Sequence, residues 1–279
     1  MDWRGRRTSS NVEDRRRGGG GRSAGIGGLG LVVVLLVGLF FGVDISPFLG
    51  GGGMAPQQAP SGPNEIDDDS EAFVATVLAG TEDVWGEIFQ QSGLDYAQPR
   101  LVLFSGQTVS ACGGADAAMG PFYCPNDQTV FLDTDFFRVM EQQMGASGEF
   151  AAAYVIAHEV GHHVQNQLGT LGEVHAARSR LGERQSNELS VRTELQADCY
   201  AGLWAKSAEG IYNLTRQDLN DALDTAARIG DDALQRASRG VVVPDSFTHG
   251  SSEQRQRWFY TGYQTGDPQA CDTFKAARL

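Results

Sequence analysis

The stretch AYVIAHEVGHHVQNQLG, Ala153–Gly169, holds three of the five histidines in this chain of 279 residues. It contains no proline, and the residues before its first histidine are apolar, so we expect a buried helix here. Within it, His158, Glu159 and His162 form the pattern H-E-x-x-H. Because positions i and i+4 share one face of a helix, both imidazoles can point at a single metal ion.

The residues around this histidine pair have separate predicted roles. Glu159 would stand beside the metal and act as the catalytic base rather than as a ligand. His163 points about 100° away from His162 at 3.6 residues per turn, so we leave it out of the ligand set. Gly161 is a poor helix former, which indicates a close packing contact at that position.

A catalytic zinc site uses three protein ligands and keeps one open position, so two histidines leave it incomplete. The sequence ELQAD supplies Glu194 and Asp198, which are four residues apart and share a helix face. The small residues Ala197 and Ala201 would let this helix approach another closely. We predict Glu194 as the third ligand and Asp198 as a hydrogen-bond acceptor for one of the ligand imidazoles.

The two remaining histidines offer an alternative third ligand. His175 lies in a polar stretch and is expected to be exposed. His249 lies in a loop before a predicted helix, which begins with the capping-box pair Ser251 and Gln254. A loop at that place can present a side chain into a cleft. We therefore also consider His249 as a catalytic residue that donates a hydrogen bond to the oxyanion formed during catalysis.

The charge of the chain is unevenly distributed. Its net charge is −13, yet residues 1–23 carry seven Arg against three acidic residues. So acidic a remainder argues against a nucleic-acid partner. The 20 uncharged residues from Ala24 to Val43 are long enough for a transmembrane helix. A cleaved signal peptide is the alternative, but the apolar core is long for one and no A-x-A site follows.

These features predict four segments. Residues 1–23 form a basic cytoplasmic arm, since Arg-rich flanks stay on the cytoplasmic side. Residues 24–43 form a single membrane anchor, and the Gly/Pro-rich residues 44–65 form a flexible tether. Residues 66–279 form the folded domain on the exported side.

All four cysteines lie beyond the predicted anchor, which indicates two disulfides in an oxidising compartment. Four cysteines allow three pairings. We favour a local loop closed by Cys112 and Cys124, and a bond between Cys199 and Cys271 that ties the C-terminal tail to a helix. A cysteine-ligated zinc is the alternative, but the sequence contains no C-x-x-C pair.

The hydrophobic patterns give a helix, then short strands, then mostly helices, which predicts an α+β domain with a small sheet beside a helical body. Thr129–Asp133 alternates as a strand, and we predict it as the edge strand that holds an extended peptide. The polar stretch 170–187 fits either a lid over the cleft or a surface connection.

The chain resembles the bacterial membrane-anchored neutral zinc metallopeptidase family, which has a gluzincin-like arrangement. The matching pieces are GRRTSSNVEDRR, GPFYCPNDQTVFLD, AHEVGHHVQNQLG, ELQADCYAGLWA and THGSSEQRQRWF. The resemblance implies a zincin-like fold, Zn²⁺ held by His158, His162 and Glu194, and Glu159 as the catalytic residue. It also implies a location in the bacterial inner membrane with the domain in the periplasm.

The function that follows is a zinc metalloendopeptidase, which hydrolyses peptide bonds with a zinc-bound water and Glu159 as general base. Its partners would be a peptide or protein substrate and, through a single pass, the membrane. A zinc hydrolase acting on a cell-wall peptide is one alternative. A non-catalytic adaptor stabilised by zinc is another, although a purely structural site would not need Glu159. The sequence does not indicate an oligomeric state.

Overall fold

The structure is a computed structural model, and it describes residues 1–16, 66, 68–116, 120–144 and 148–279. These residues form a small sheet beside a body of helices, so the predicted α+β class is confirmed. The predicted anchor 24–43 and tether 44–65 lie outside the described residues. Among the described residues, no helix is both long and apolar enough to span a membrane.

The main sheet has four strands in the spatial order β1–β2–β6–β5, and the short strands β3 and β4 pair separately as an antiparallel hairpin. β1, β2 and β6 are parallel, whereas β5 runs antiparallel to β6. In chain order the strands are Val12–Asp14, Arg100–Phe104, Gln107–Ser110, Gly113–Asp116, Phe122–Cys124 and Thr129–Asp133.

The position of β6 corrects one prediction. Every residue of Thr129–Asp133 is buried, and the strand pairs with β2 on one side and with β5 on the other. Its backbone groups are therefore already used inside the sheet. The edge strand next to β6 is β5 (Phe122–Cys124), which carries the aromatic pair Phe122 and Tyr123.

Two long helices of the helical body carry the predicted site. Glu149–Gln167 (α3) contains the H-E-x-x-H motif, and Glu183–Ala208 (α5) contains Glu194. The helix α8 packs along α5 at two glycines, since a Cβ on Gly202 or Gly262 would overlap the backbone of the other helix. The predicted capping box at the start of α8 is present between Ser251 and Gln254. In order, α1 to α8 are Asp69–Gln91, Thr134–Met144, Glu149–Gln167, Thr170–Arg178, Glu183–Ala208, Arg216–Arg228, Asp231–Arg239 and Ser252–Thr265.

The N-terminal segment, residues 1–16, is part of this folded body and not a separate arm. Its strand β1 pairs with β2, and the side chain of Trp3 is buried in the main hydrophobic core. The hydroxyl of Ser9 donates to the buried Glu82 at 2.5 Å. The Arg16 guanidinium lies 2.8 Å from the carboxylate of Asp68.

This packing also bears on the predicted topology. Several arginines of the N-terminal segment bind carboxylates of the body, so its positive charge has an explanation other than the cytoplasmic side of a membrane. A single membrane crossing between residues 16 and 68 would separate the two parts that the structure packs together. Placing residues 1–16 in the cytoplasm and the domain on the exported side does not agree with these contacts, whereas the anchor at 24–43 stays a prediction.

Both favoured disulfides are formed. Cys112 and Cys124 join the turn between β3 and β4 to the edge strand β5. Cys199 on α5 is bonded to Cys271 in the C-terminal tail, across a sequence separation of 72 residues. The first bond therefore fixes one end of β5, and the second holds the tail against the helix that carries Glu194.

Candidate metal centre

Three side chains from two helices converge on one point. His158 and His162 lie one turn apart on α3, and Glu194 faces them from α5. Their potential ligand atoms all lie within 4.8 Å of one another, and among the described residues this is the cluster that could hold a metal ion. The Nε2 atoms of His158 and His162 lie 3.2 and 3.5 Å from the Glu194 carboxylate oxygens.

The two helices can approach this closely because the contact is made by small residues. A Cβ added to Gly161 would lie 3.1 Å from both the Cα and the carbonyl oxygen of Ala197. That is tighter than an ordinary van der Waals contact, so the predicted close packing at Gly161 is confirmed. Since Gly161 lies between the two histidines of the motif, the same contact sets how close Glu194 comes to them.

Each motif imidazole is oriented through its Nδ1 atom. The Nδ1–H of His158 donates to Asp198 Oδ1 at 2.8 Å, as predicted from the sequence. The Nδ1–H of His162 donates to Gln165 Oε1 at 2.8 Å, and the Gln165 amide is itself fixed because its nitrogen donates to Thr193 O. In the neutral form of each imidazole, a proton on Nδ1 leaves Nε2 turned towards Glu194 and available as a metal ligand.

Two further residues of this network were not found from the sequence. The hydroxyl of Tyr154 donates to Asp198 Oδ1 at 2.6 Å, and the guanidinium of Arg255 binds both oxygens of the same carboxylate at 2.9 Å. Asp198, Tyr154 and Arg255 are all buried. Tyr154 lies one turn before His158 on an apolar stretch, where it reads as an ordinary core residue.

The pKa values follow from this packing of opposite charges. Burial lowers the pKa of His158, but the carboxylates of Asp198 and Glu194 outweigh it and raise that pKa to about 10. Burial also lowers the pKa of His162, but the charge of Glu194 outweighs burial, so that this pKa is raised as well. Burial raises the pKa of Glu194, yet the neighbouring histidines hold it well below its ordinary value. The charges of the cluster therefore favour a cation at this point.

Glu159 lies in the same cleft but outside the ligand cluster. Its side chain is almost fully buried, and burial raises the pKa of its carboxyl above the ordinary value despite the nearby histidines. A carboxylate with a raised pKa accepts and returns protons more readily near neutral pH. The arrangement therefore suits Glu159 for proton transfer beside the three-residue cluster.

The cluster opens into a cleft of about 500 Å³. Phe122 and Tyr123 of β5 line the cleft, as do Thr248 and His249 of the loop before α8. Arg178, at the end of α4, also lines the cleft. Within the undecided stretch 170–187, this helix has no buried residue.

His249 lies at the cleft and not within the ligand cluster. Its Nδ1 lies 2.9 Å from Thr248 Oγ1 and 3.4 Å from Asp231 Oδ1. Asp231 also accepts three backbone N–H groups from residues 248–250, which fixes the conformation of this loop. His175, the other alternative ligand, is exposed on α4 as expected.

His163 is directed away from the cluster, as its helical position predicted. Its Nδ1 lies 3.0 Å from the hydroxyl of Tyr123, and its Nε2 lies 2.6 Å from Ala97 O. The Tyr123 hydroxyl also accepts from Asn166 at 3.0 Å. His163 therefore connects the motif helix to the edge strand β5.

Together, these features define a buried His₂Glu site of the H-E-x-x-H type in an open cleft. The sequence profile of a family described as "Putative neutral zinc metallopeptidase" matches residues 1–274. The chain belongs to this family.

Relatives of high similarity match most of the chain. Protein YpfJ of Escherichia coli K12, described as uncharacterized, is 47% identical over 98% of this chain and 99% of its own. Protein Rv2575 of Mycobacterium tuberculosis H37Rv, also described as uncharacterized, is 46% identical over 76% of this chain and 74% of its own. No solved structure matches the chain.

Proposed function

We propose that this chain is a zinc metallopeptidase that hydrolyses peptide bonds in the cleft beside β5. One observation carries the proposal: His158, His162 and Glu194 converge within 4.8 Å, with Glu159 buried next to them. The family description points to the same chemistry. A site that only stabilised the fold would need neither Glu159 nor an open cleft.

The residues present fit a zinc ion. Two imidazole nitrogens and one carboxylate oxygen form one of the three-ligand sets that catalytic zinc uses. The Nδ1 atoms of His158 and His162 are both committed to hydrogen bonds, so their Nε2 atoms are available to the ion. When bound, zinc supplies Lewis acidity, since it acidifies water and polarises a carbonyl group.

Glu159 is assigned the proton transfers. Its buried carboxylate takes a proton from the attacking water and delivers it to the amine that leaves when the peptide bond breaks. The raised pKa of Glu159 favours both steps, because the carboxylate accepts the proton more readily than an ordinary one and can still release it to the amine. His249 is assigned a hydrogen bond to the substrate carbonyl oxygen as negative charge develops there.

The edge strand β5 is assigned to substrate binding. A peptide in extended conformation can pair with the backbone of Phe122–Cys124 and lie across the cleft above the metal ligands. Phe122 and Tyr123 border that cleft, and the disulfide at Cys124 holds the strand in place. Such pairing favours a peptide or protein over a small amide.

The two disulfides support an oxidising, exported location for the whole described body, including the N-terminal segment. We place the peptidase there and expect its substrates in the same compartment.

The test uses the full chain with both disulfides intact and zinc bound, together with Glu159→Gln. Both proteins are incubated with a mixed peptide library, and the products are read by mass spectrometry while zinc content is measured in parallel. We expect cleavage by the wild type only, with equal zinc in both proteins. Full cleavage by Glu159→Gln would remove the assigned base. No cleavage by either, with one zinc bound, would favour a non-catalytic adaptor.

A further inference from the structure

Arg255 is a charged side chain buried at the base of the metal centre. It lies in the first turn of α8, and only 3% of its surface is exposed. Its Nε donates to Asp198 Oδ2 and its Nη2 to Asp198 Oδ1, both at 2.9 Å. Its remaining contacts are Tyr154 Oη and Ile229 O, each at 3.3 Å.

The contact of Arg255 with Asp198 is a bidentate salt bridge, which is a strong kind of ion pair. A guanidinium that binds both oxygens of a carboxylate fixes the plane of the carboxylate as well as its distance. Asp198 is fully buried, so its negative charge would be costly without this cation beside it. Arg255 therefore fixes how the Asp198 carboxylate is turned.

Asp198 passes this constraint to His158. Its Oδ1 accepts the Nδ1–H of His158 at 2.8 Å and the Tyr154 hydroxyl at 2.6 Å. The charged carboxylate therefore selects the tautomer of His158 whose Nε2 faces Glu194. A change in the plane of Asp198 would turn the imidazole away from the other ligands.

We propose that Arg255 is a positioning residue of the metal centre, which acts through Asp198 to hold His158 ready to bind the ion. The inference rests on the metal site of the proposed function, but it does not depend on peptide hydrolysis. It assigns a role in this centre to α8, a helix that supplies none of the three ligands.

The first test measures zinc affinity by competition with a chromogenic chelator for the wild type, Arg255→Met and Arg255→Lys. We expect Arg255→Met to bind zinc roughly 10–100-fold more weakly, as is typical when a residue that orients a ligand is lost. Lysine keeps the charge but cannot make the bidentate contact, so Arg255→Lys should still bind zinc more weakly than the wild type. Wild-type affinity in both variants would overturn the proposal.

Arg257→Met is the matched control. Arg257 lies two residues further along α8, and its contacts are Leu279 O and Glu253, away from the cleft. We expect it to bind zinc like the wild type. In cobalt-substituted protein, the visible absorption bands should change for the Arg255 variants and not for Arg257→Met. The same change in all variants would show a general loss of structure and contradict the assigned role.

A double-variant comparison keeps the test decisive if Arg255→Met does not fold. Arg255→Lys is measured in the wild-type background and again in Asp198→Asn. If Arg255 acts through Asp198, its substitution should weaken zinc binding in the first background and have little further effect in the second. An equal loss in both backgrounds would overturn the proposal. Tight zinc binding without cleavage would contradict the proposed function but not the role of Arg255.

Discussion

Gly161 and Ala197 lie so close that no side chain fits between their helices: a Cβ on Gly161 would be 3.1 Å from the Ala197 Cα and carbonyl oxygen. Gly161 lies between the two motif histidines, and Ala197 lies one turn after Glu194. The distance between α3 and α5 at this contact therefore sets the distance between Glu194 and the two motif histidines.

Gly161→Ala should separate the two helices and weaken zinc binding. Alanine would normally stabilise a helix by about 1 kcal/mol over glycine. At this position we expect a net loss of stability instead, because overpacking typically costs about 1–3 kcal/mol. Chemical denaturation and zinc titration measure the two effects.

The control is Gly172→Ala on the exposed helix α4, where a Cβ would meet no atom within 4 Å. This variant should be neutral or slightly more stable, with unchanged zinc affinity. If Gly161→Ala behaved like Gly172→Ala, the contact with Ala197 would not set the geometry of the site.

Zinc binding should release protons at neutral pH. Burial lowers the pKa of His158, but its carboxylate neighbours raise it to about 10, so the imidazole of the metal-free protein holds an extra proton at pH 7. The pKa of His162 is also raised, because the charge of Glu194 outweighs the lowering effect of burial. A ligand imidazole must be neutral, so zinc competes with these protons and its affinity should rise with pH below that value.

Calorimetry in buffers of different ionisation enthalpy counts the protons released. Glu194→Gln should reduce that number, because it removes the charge that raises the pKa of His162 and one of those that raise the pKa of His158. A zinc affinity independent of pH between 6 and 8 would contradict the prediction.

Tyr123→Phe should affect substrate binding more than metal binding. The change removes the hydroxyl that joins β5 to His163 and Asn166 on the motif helix, while the ligand cluster is untouched. We expect KM for a cleaved peptide to rise and zinc affinity to stay the same. Steady-state kinetics on a peptide identified from the library measures the first effect, and a fall in zinc affinity would contradict the assignment.

The two disulfides should differ in their contribution to stability. They close loops with sequence separations of 12 and 72 residues. On chain entropy alone, removing Cys112–Cys124 should cost about 3 kcal/mol and removing Cys199–Cys271 about 4.4 kcal/mol. Denaturant unfolding of the two double Cys→Ser variants tests this order. The reverse order would show that strain or packing, and not loop length, dominates.

Local spacing was enough to predict the central features of the site. The i and i+4 pairs that include His158 and Glu194 depend only on helix geometry, and Gly161 is conspicuous inside a helix. Arg255 could not be found in this way, because its partner Asp198 is 57 residues distant in sequence. Nothing in its own neighbourhood indicates burial.

The differences between expectation and structure in the sheet and at the N-terminal segment share one cause. An alternating pattern shows that Thr129–Asp133 is a strand but does not give its neighbours, which depend on pairing across the chain. Likewise, Arg-rich residues before an apolar stretch are typical of a membrane flank. Only the three-dimensional contacts show that Arg16 has a carboxylate partner in Asp68.

The N-terminal segment has a consequence for the order of events during synthesis. The backbone N–H of Asp2 donates to Tyr212 O, and β1 cannot pair until β2 has been made. Residues 1–16 are therefore synthesised well before the partners that they contact in the folded body. Contacts of such long range are slow to form. We expect the sheet of the nascent body to stay incomplete until this segment, which is made before its partners, returns to pair with β2 at that edge.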